Sequence, residues 1–305
     1  MFPIIPASSS GTKTYQNDEG IMAYGDSAYS HANLISNTGT VASDTTPLGT
    51  LRTYVGGCEY GGDKGILAYG KLDSAPGTLL SMSNLVSNAG VIAADVTGVG
   101  TARQMSSACG YGGDKGIFGY GYVSPDQLSM TNLVSSSGVV ADDVTGVGTA
   151  RAALAACEYG GTKGIFGYGD GSRLSMTNLV SNTGVVGNDV TGVGTARAEV
   201  AACEYGEDKG IFGFGHAGAP AGFVAMTNLV SNDGVVATDQ AAVTGTGRGG
   251  LGACEYGQDK GIFAFGAGSG GRSNISNLVS NTGVVATDLS GVGTVRGYVG
   301  ACSFN

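Results

Sequence analysis

Arginine and cysteine are the residues of this chain whose spacing first suggests chemistry. An arginine precedes a cysteine by six positions at six places, and successive arginines lie 46 to 51 residues apart. A guanidinium group binds carboxylate or phosphate, whereas a cysteine thiolate binds metal ions or acts as a nucleophile. The six pairs are Arg52 and Cys58, Arg103 and Cys109, Arg151 and Cys157, Arg197 and Cys203, Arg248 and Cys254, and Arg296 and Cys302.

The cysteines have the spacing of neither a disulfide framework nor a zinc site. They recur at equivalent places about 50 residues apart, unlike the dense cysteines of small secreted scaffolds. Zinc takes four tetrahedral ligands, which usually come from closely spaced cysteine or histidine pairs. We therefore predict six reduced, buried thiols that fill space, and no metal site.

Patterns for enzymatic catalysis are weak. The only two histidines, His31 and His216, lie in variable segments of non-adjacent units. Asp142 and Asp143 are adjacent on a predicted strand, so they would face opposite ways and could not act together as a glycosidase pair. Catalysis also needs one asymmetric site, whereas these units are alike. We therefore predict no catalytic residue, no cofactor and no enzymatic activity.

The arginine and cysteine pairs belong to a longer repeated unit. A Lys-Gly-Ile motif usually follows the cysteine by six positions, as at Lys163, and an aromatic residue with glycine follows it, as at Tyr168. Six such units are typical of a repeat array in which no unit buries its own apolar face. An Asn-Leu-(Val/Ile)-Ser motif completes the pattern at Asn33, Asn84, Asn132, Asn178, Asn228 and Asn277.

Each unit predicts four short strands and no helix. In the third full unit these are Arg151 to Tyr159, Gly164 to Tyr168, Leu174 to Ser181, and Val185 to Val190, with glycine-rich turns between them. The fold class is therefore all-β, a six-bladed β-propeller of four-stranded antiparallel blades. Small residues in the first strand predict that it lines the central axis. These inner strands are expected near 52–60, 103–111, 151–159, 197–205, 248–256 and 296–304.

The two ends of the chain predict how the ring closes. The last inner strand, 296–304, has no second strand after it, and the first second strand, from Glu19, has no inner strand before it. The C-terminal strand should therefore join the N-terminal blade, which removes free sheet edges. The propeller would span residues 19–305, and residues 1–18 would form an N-terminal arm.

The six arginines would then surround one mouth of the axial channel. Such a ring could capture an anionic ligand, but neighbouring like charges about 10 Å apart repel by about 1.7 kcal/mol at an effective dielectric constant near 20. We therefore favour a structural role, in which each arginine pairs with the aspartate eight or nine positions upstream or with loop carbonyl groups. These aspartates are Asp44, Asp95, Asp143, Asp189, Asp239 and Asp288.

Composition excludes some classes of partner. The net charge is −9, and nucleic-acid binding needs clustered Lys and Arg. No apolar run approaches the 18 residues of a membrane span. The N-terminal segment has no basic region, and Pro3 and Pro6 interrupt its apolar stretch, so it does not predict a signal peptide. We expect no nucleic-acid or membrane partner.

The units resemble the kelch repeat. Thr149-Ala150-Arg151, the small-residue strand, Gly160-Gly161 and a hydrophobic strand ending in Tyr168-Gly169 follow the order of a kelch blade. The resemblance covers residues 19–305, although the tryptophan of the family's fourth strand is missing. The copies are also similar to kelch-like structural proteins of tailed phages and other viruses. That resemblance implies a virion or tail component, located in the virion or the cytoplasm.

The links between the second and third strands differ most between units, and variable loops on a constant frame are typical of a binding face. We expect a non-enzymatic structural or adhesive module that binds other proteins, such as virion components, through these loops or residues 1–18. The alternative is a carbohydrate-binding lectin that uses the same loops, whose aromatic residues are few. The links are 26–31, 71–80, 122–127, 170–173, 216–224 and 267–273.

Overall fold

The computed structural model describes residues 18–26, 31–72, 77–240 and 245–304. Across these ranges the protein is all-β and contains no helix. Its strands form six three-stranded antiparallel sheets and one two-stranded hairpin. The predicted N-terminal arm falls, apart from Asp18, outside the described residues.

Sheet IV shows how one unit of the sequence folds. Strand β9 (Ala155–Tyr159) pairs with β10 (Lys163–Gly167), which pairs with β11 (Thr177–Val180). In the register of these pairs Ile165 lies opposite Cys157 on one side and Leu179 on the other. Gly160 and Gly161 have φ values of 60° and 68°. This left-handed backbone favours glycine, and it reverses the chain between β9 and β10.

The other sheets repeat this order. Sheet II contains β3 (Gly56–Tyr60), β4 (Lys64–Ala68) and β5 (Ser83–Val86); sheet III contains β6 (Ser107–Tyr111), β7 (Lys115–Val123) and β8 (Asp126–Val134). Sheet V contains β12 (Ala201–Tyr205), β13 (Lys209–Gly213) and β14 (Thr227–Val230). Sheet VI contains β15 (Gly252–Tyr256), β16 (Lys260–Ala264) and β19 (Ser276–Val279), and β17 (Ala267–Gly268) and β18 (Gly271–Arg272) form the hairpin.

Sheet I joins the two ends of the described chain. It contains β1 (Glu19–Ala23), β2 (Ala32–Ile35) and the last strand, β20 (Gly300–Phe304). Ile21 lies opposite Cys302 in the antiparallel register of β1 and β20. The C-terminal strand therefore pairs with the N-terminal one, as the sequence predicts.

One edge strand of each sheet, which we call its inner strand, lies beside the inner strands of two other sheets. In chain order β3 contacts β6, β6 contacts β9, β9 contacts β12, and β12 contacts β15. The C-terminal β20 contacts both β15 and β3. Each of the six inner strands therefore contacts two others.

The inner strands begin later than predicted. Arg151 and Ala152 precede β9 but do not belong to it, because Ala153 has a φ of 51°. An extended strand cannot pass through a left-handed residue. The residue two positions after each of the other arginines also has a positive φ, so the same bend shortens every inner strand.

The prediction of a regular fourth strand is wrong. Opposite β11, the following segment makes only two isolated bridges, Val180 to Val186 and Thr177 to Val190. Between these bridges the segment spans four residue steps and β11 spans three. The extra residue is a bulge that interrupts the ladder, although the amide of Gly187 still donates to the carbonyl of Leu179.

The core lies between adjacent sheets. Tyr168 of sheet IV and Phe212 of sheet V are fully buried, and their rings meet edge to face with centroids 5.1 Å apart. A Cβ atom at Gly167 would lie 2.6 Å from the Phe212 ring, so glycine at this strand position makes room for the neighbouring aromatic ring. The units therefore depend on their neighbours for burial.

Candidate functional site

Each predicted arginine is buried. Five of the six donate hydrogen bonds from all three guanidinium nitrogens, whereas Nε of Arg103 is buried without a partner among the described residues. Arg151 donates from Nε to the carbonyl of Tyr168 (2.9 Å), from Nη1 to the carbonyl of Thr149 (3.1 Å), and from Nη2 to Oδ1 of Asn178 (2.6 Å). Its Cζ lies 4.3 Å from the ring centroid of Tyr120 in the preceding sheet. The guanidinium therefore ties its own sheet together and stacks on the preceding one.

The six stacking contacts continue around all six sheets. Each arginine lies over the aromatic residue that ends the second-strand motif of the neighbouring sheet. Cation–π contacts of this kind contribute about 2 kcal/mol each when they are desolvated. The pairs are Arg52 and Tyr24, Arg103 and Tyr69, Arg151 and Tyr120, Arg197 and Tyr168, Arg248 and Phe214, and Arg296 and Phe265.

The aspartates pair with the arginines in a different register from the one expected. The partner of Arg151 is Asp189, 38 positions downstream, and not Asp143, because the fourth segment of a sheet folds back beside the arginine of the same sheet. The N···O distances are 3.7 to 3.9 Å in all six pairs. These pairs are Arg52–Asp95, Arg103–Asp143, Arg151–Asp189, Arg197–Asp239, Arg248–Asp288 and Arg296–Asp44.

The aspartates are held more tightly by threonine and asparagine than by arginine. Asp189 accepts hydrogen bonds from the Thr149 hydroxyl (2.7 Å), the Thr149 amide (3.0 Å) and the Asn178 side-chain amide (2.9 Å). Burial alone would raise the pKa of Asp189, but these hydrogen bonds and the charge of Arg151 outweigh it, and the pKa is lowered. The charged carboxylate is therefore the form that the fold selects.

The arginines do not form an exposed ring. Their relative exposure is 0–1%, and their guanidinium groups face rings, carbonyl groups and amides within the protein. Burial lowers the pKa of Arg248 and Arg296 to about 10, which still leaves both charged near neutral pH. In these positions the arginines support the fold and do not meet a ligand in solvent.

The six cysteines are buried and form no disulfide. Each sulfur packs against a glycine in the next sheet, which is Gly20 for Cys254 and the glycine of a Lys-Gly-Ile motif for the other five. A Cβ atom at Gly210 would lie 2.5 Å from Sγ of Cys157. Burial raises the pKa of the Cys157 thiol well above its usual value. These thiols are space-filling groups, and the glycine opposite them is required by their size.

Backbone hydrogen bonds link the residues two positions after each arginine, which we call the mouth residues. The amide of Ala153 donates to Met105 (3.1 Å), that of Glu199 to Ala153 (2.8 Å), and that of Gly250 to Glu199 (3.0 Å). Tyr298 then donates to Gly250 (2.6 Å), and Tyr54 donates to Tyr298 (3.1 Å). The mouth residues are Tyr54, Met105, Ala153, Glu199, Gly250 and Tyr298, and each has φ between 51° and 61°.

The mouth residues line a cavity of about 80 Å³, together with the residues that follow them. The rings of Tyr54 and Tyr298 lie with centroids 4.5 Å apart. Burial raises the pKa of Glu199, while His216, the Tyr298 hydroxyl and Arg173 act in the opposite direction. One unit thus supplies a carboxylate where others supply aromatic, thioether or small side chains, so this cavity has no repeat symmetry.

The variable links lie at the same end as the mouth residues. The amide of Asp170 donates to the carbonyl of Ala152, and the amide of His216 donates to Ala198, next to the mouth. Arg173 joins two of these links, since it pairs with Asp170 (2.5 Å) and reaches Nδ1 of His216 (3.1 Å). The mouth and the variable links therefore form one surface. Sequence variation marks the same links as a binding face.

A second group of residues was missed by the sequence analysis. At the far ends of the inner strands, carboxylate oxygens of Glu59, Glu204 and Glu255 lie within 4.8 Å of one another. They line a cavity of about 50 Å³ to which Glu158 also contributes. In the sequence, these residues are marked by the glutamate that follows the cysteine in four units. That pattern predicts a cluster only if the four inner strands are known to lie side by side. A cluster of carboxylates alone does not define a site.

Comparison with known proteins finds no family model that matches this sequence and no curated protein with significant similarity to it. In the described part of the chain, no helix has the length and apolar character needed to cross a membrane.

Proposed function

We propose that the chain forms one closed six-bladed β-propeller. The support comes from six sheets of one design, inner strands that each contact two others, and a last strand paired with the first. The backbone hydrogen bonds among the mouth residues and the six arginine–aromatic contacts support the same geometry. In this fold the bulged fourth segment is the outer strand of each blade.

The propeller serves as a non-enzymatic attachment module, and the loop face around the mouth is its binding surface. One observation carries this proposal: variation between units is concentrated at that end. The Arg, Asn and Asp residues that hold each sheet are the same in all six units, whereas the mouth residues are Tyr, Met, Ala, Glu, Gly and Tyr. A constant frame with different loops is the arrangement of a binding scaffold.

The resemblance of the repeats to kelch-like structural proteins of tailed phages supports a more specific context, attachment within a virion or tail. A partner protein would bind across several blades at once, because the links of successive blades lie side by side around one surface. Single loops would then contribute unequally, as is usual where a few residues dominate binding.

Loop replacement tests the attachment role. The link 216–224 would be exchanged for the shorter link 170–173 of the same chain, which keeps a loop that already connects two such strands. Surface plasmon resonance would measure the binding of the native and exchanged proteins to purified virion or tail particles. Fluorescence would measure their binding to a glycan array. Tenfold weaker particle binding by the exchanged protein supports the proposal.

The matched control is Asp233→Thr, in a turn remote from the links, where Thr183 and Thr282 occupy the equivalent positions. This variant should bind particles as the native protein does. If loop exchange leaves particle binding unchanged but abolishes multivalent binding to a glycan, the loop face is a lectin surface and the attachment proposal is wrong.

A further inference from the structure

We propose that the cavity at the mouth binds a small alkylammonium ligand, with its ammonium group against Glu199 between the two tyrosines and its alkyl chain directed along the channel axis. This inference rests on the side chains of the mouth and does not require the attachment role. It assigns a ligand class to a concave and asymmetric part of the loop face.

Glu199 is the mouth carboxylate that remains for a cation, although Arg173 and His216 act on its charge from the neighbouring links. Asp170 is paired with Arg173 at 2.5 Å, and Asp26 is paired with Arg272 at 2.7 Å. Among the described residues Glu199 forms no ion pair, and its Oε2 is buried without a hydrogen-bond partner. A buried polar atom of this kind normally has a partner, and an ammonium group supplies up to three N–H donors.

The tyrosines provide a second feature that suits a cation. Nζ of Lys71 lies 5.3 Å from the ring centroid of Tyr54, so this ring already contacts an ammonium group. The Tyr298 ring packs on Tyr54 at an interplanar angle of 39° and carries its hydroxyl towards Glu199. Aromatic rings next to a carboxylate are a recurrent way to hold an alkylammonium group.

The wall beneath the mouth suits an alkyl chain. Val200, Leu251 and Val299 are 6–7% exposed and line the cavity below Glu199. The same residues border a second cavity of about 110 Å³ farther along the channel, whose accessible lining is mostly polar. An apolar cavity of about 150 Å³ can hold benzene, so a short alkyl chain matches the mouth cavity of about 80 Å³. The hydroxyl of Ser106, buried without a hydrogen-bond partner among the described residues, also lines this wall.

The test uses n-butylammonium chloride titrated into the full chain, followed by isothermal titration calorimetry and by NMR shifts of the Tyr54 and Tyr298 rings. Butanol, which has the same chain without the charge, should bind at least tenfold more weakly. Methylammonium should also bind more weakly, by about fourfold for each missing methylene group. The NMR signals of the Tyr54 and Tyr298 rings should shift when n-butylammonium is added to the native chain.

Two variants separate the site from general charge effects. Glu199→Gln should weaken n-butylammonium binding at least tenfold, because the uncharged amide keeps the shape but not the charge. Glu207→Gln is the matched control, since Gln258 occupies the equivalent turn position in the next unit with nearly the same φ, 69° against 70°. This control should bind as the native protein does.

The proposal is overturned by any of three results: no binding of n-butylammonium to the native chain at 50 mM, equal binding of butanol, or equal binding by Glu199→Gln. Chemical shifts that map to Glu59, Glu204 and Glu255 instead of the tyrosines would also overturn it, because they would place the cation at the opposite end of the channel. The attachment role could fail in its own test without changing any of these outcomes.

Discussion

The hydroxyl of Thr294 donates a hydrogen bond to Asp44 at 2.7 Å, although 250 residues separate them. Within the continuous unit of sheet IV, Thr149 makes the same bond to Asp189 at 2.7 Å across 40 residues. Sheet I is therefore built from both ends of the chain to the same design as a sheet built from one segment. This equivalence is the basis for comparing matched substitutions at the junction and away from it.

Asp44→Asn and Asp189→Asn should destabilise the protein by similar amounts. Each change replaces a carboxylate oxygen, which accepts a hydrogen bond from a threonine, with a side-chain amide that matches the threonine less well. The expected loss is about 1 to 3 kcal/mol in the free energy of unfolding. Urea denaturation followed by circular dichroism measures both. Asp233→Thr serves as the neutral control. If Asp44→Asn changes nothing while Asp189→Asn destabilises, sheet I does not form from the two ends.

Stability should fall steeply in acid. The pKa values of Asp44, Asp95, Asp143, Asp189, Asp239 and Asp288 are all lowered: burial opposes the charged form, but hydrogen bonds from threonine and asparagine outweigh it. A lowered pKa in the folded state stabilises the fold above the ordinary aspartate pKa of about 4, and this contribution is lost as the pH falls through the folded-state value.

The measurement is the melting temperature between pH 6 and pH 2. We expect little change from pH 6 to pH 5 and a progressive fall below about pH 4. The variant Asp189→Asn should show a smaller fall, because one of the titrating groups is gone. An acid profile identical to that of the native chain would mean that Asp189 does not contribute in the way described.

Gly210→Ala should destabilise the protein through its contact with Cys157. The added Cβ would lie 2.5 Å from the sulfur, and overpacking of this kind costs about 1 to 3 kcal/mol. In the double variant with Cys157→Ala the sulfur is gone, so the loss should be smaller than the sum of the single losses. Additive losses would show that the two sites do not touch.

The control for this pair is Gly187→Ala. The nearest atom to a Cβ at Gly187 is a carbonyl oxygen at 3.5 Å, and alanine already occupies the equivalent position as Ala141 and Ala237. This change should leave the urea midpoint unchanged or raise it slightly.

Arg151→Lys should cost about 3 kcal/mol. Lysine keeps the charge but cannot make the three hydrogen bonds of the guanidinium, and a charged hydrogen bond contributes about 1.5 to 3 kcal/mol. Lys115→Arg, at an exposed ion pair with Asp114, should cost less than about 1 kcal/mol. Equal urea midpoints for the two variants would contradict the structural role of the buried arginines.

The sequence was sufficient for the parts of the fold that depend on the periodic pattern. The strands around Cys157, Ile165 and Leu179 follow from alternating small and apolar residues, and the pairing of β1 with β20 follows from the missing partners at each end. The buried state of the cysteines also follows, because they have no metal-like or disulfide-like spacing.

The register between distant segments could not be read from the pattern. Asp189 lies eight positions before Arg197 in sequence, but the fold brings it to Arg151, since one sheet closes on its own arginine. The bend at Ala153 and the bulge before Val190 are backbone features without a sequence marker in this chain. The mouth could not be predicted either, because Glu199 and Tyr298 lie two repeat units apart in the sequence and come together only in the folded protein.

The junction between the two ends of the chain is the most direct point at which to test the closed propeller. In a deuterated sample with labelled amides, NOEs should connect Ile21 and Met22 of β1 with Ala301 and Cys302 of β20, as their antiparallel register requires. The closed ring predicts these cross-strand NOEs in the monomeric protein at low concentration. Their absence, or NOEs from β1 to a different strand, would contradict the account.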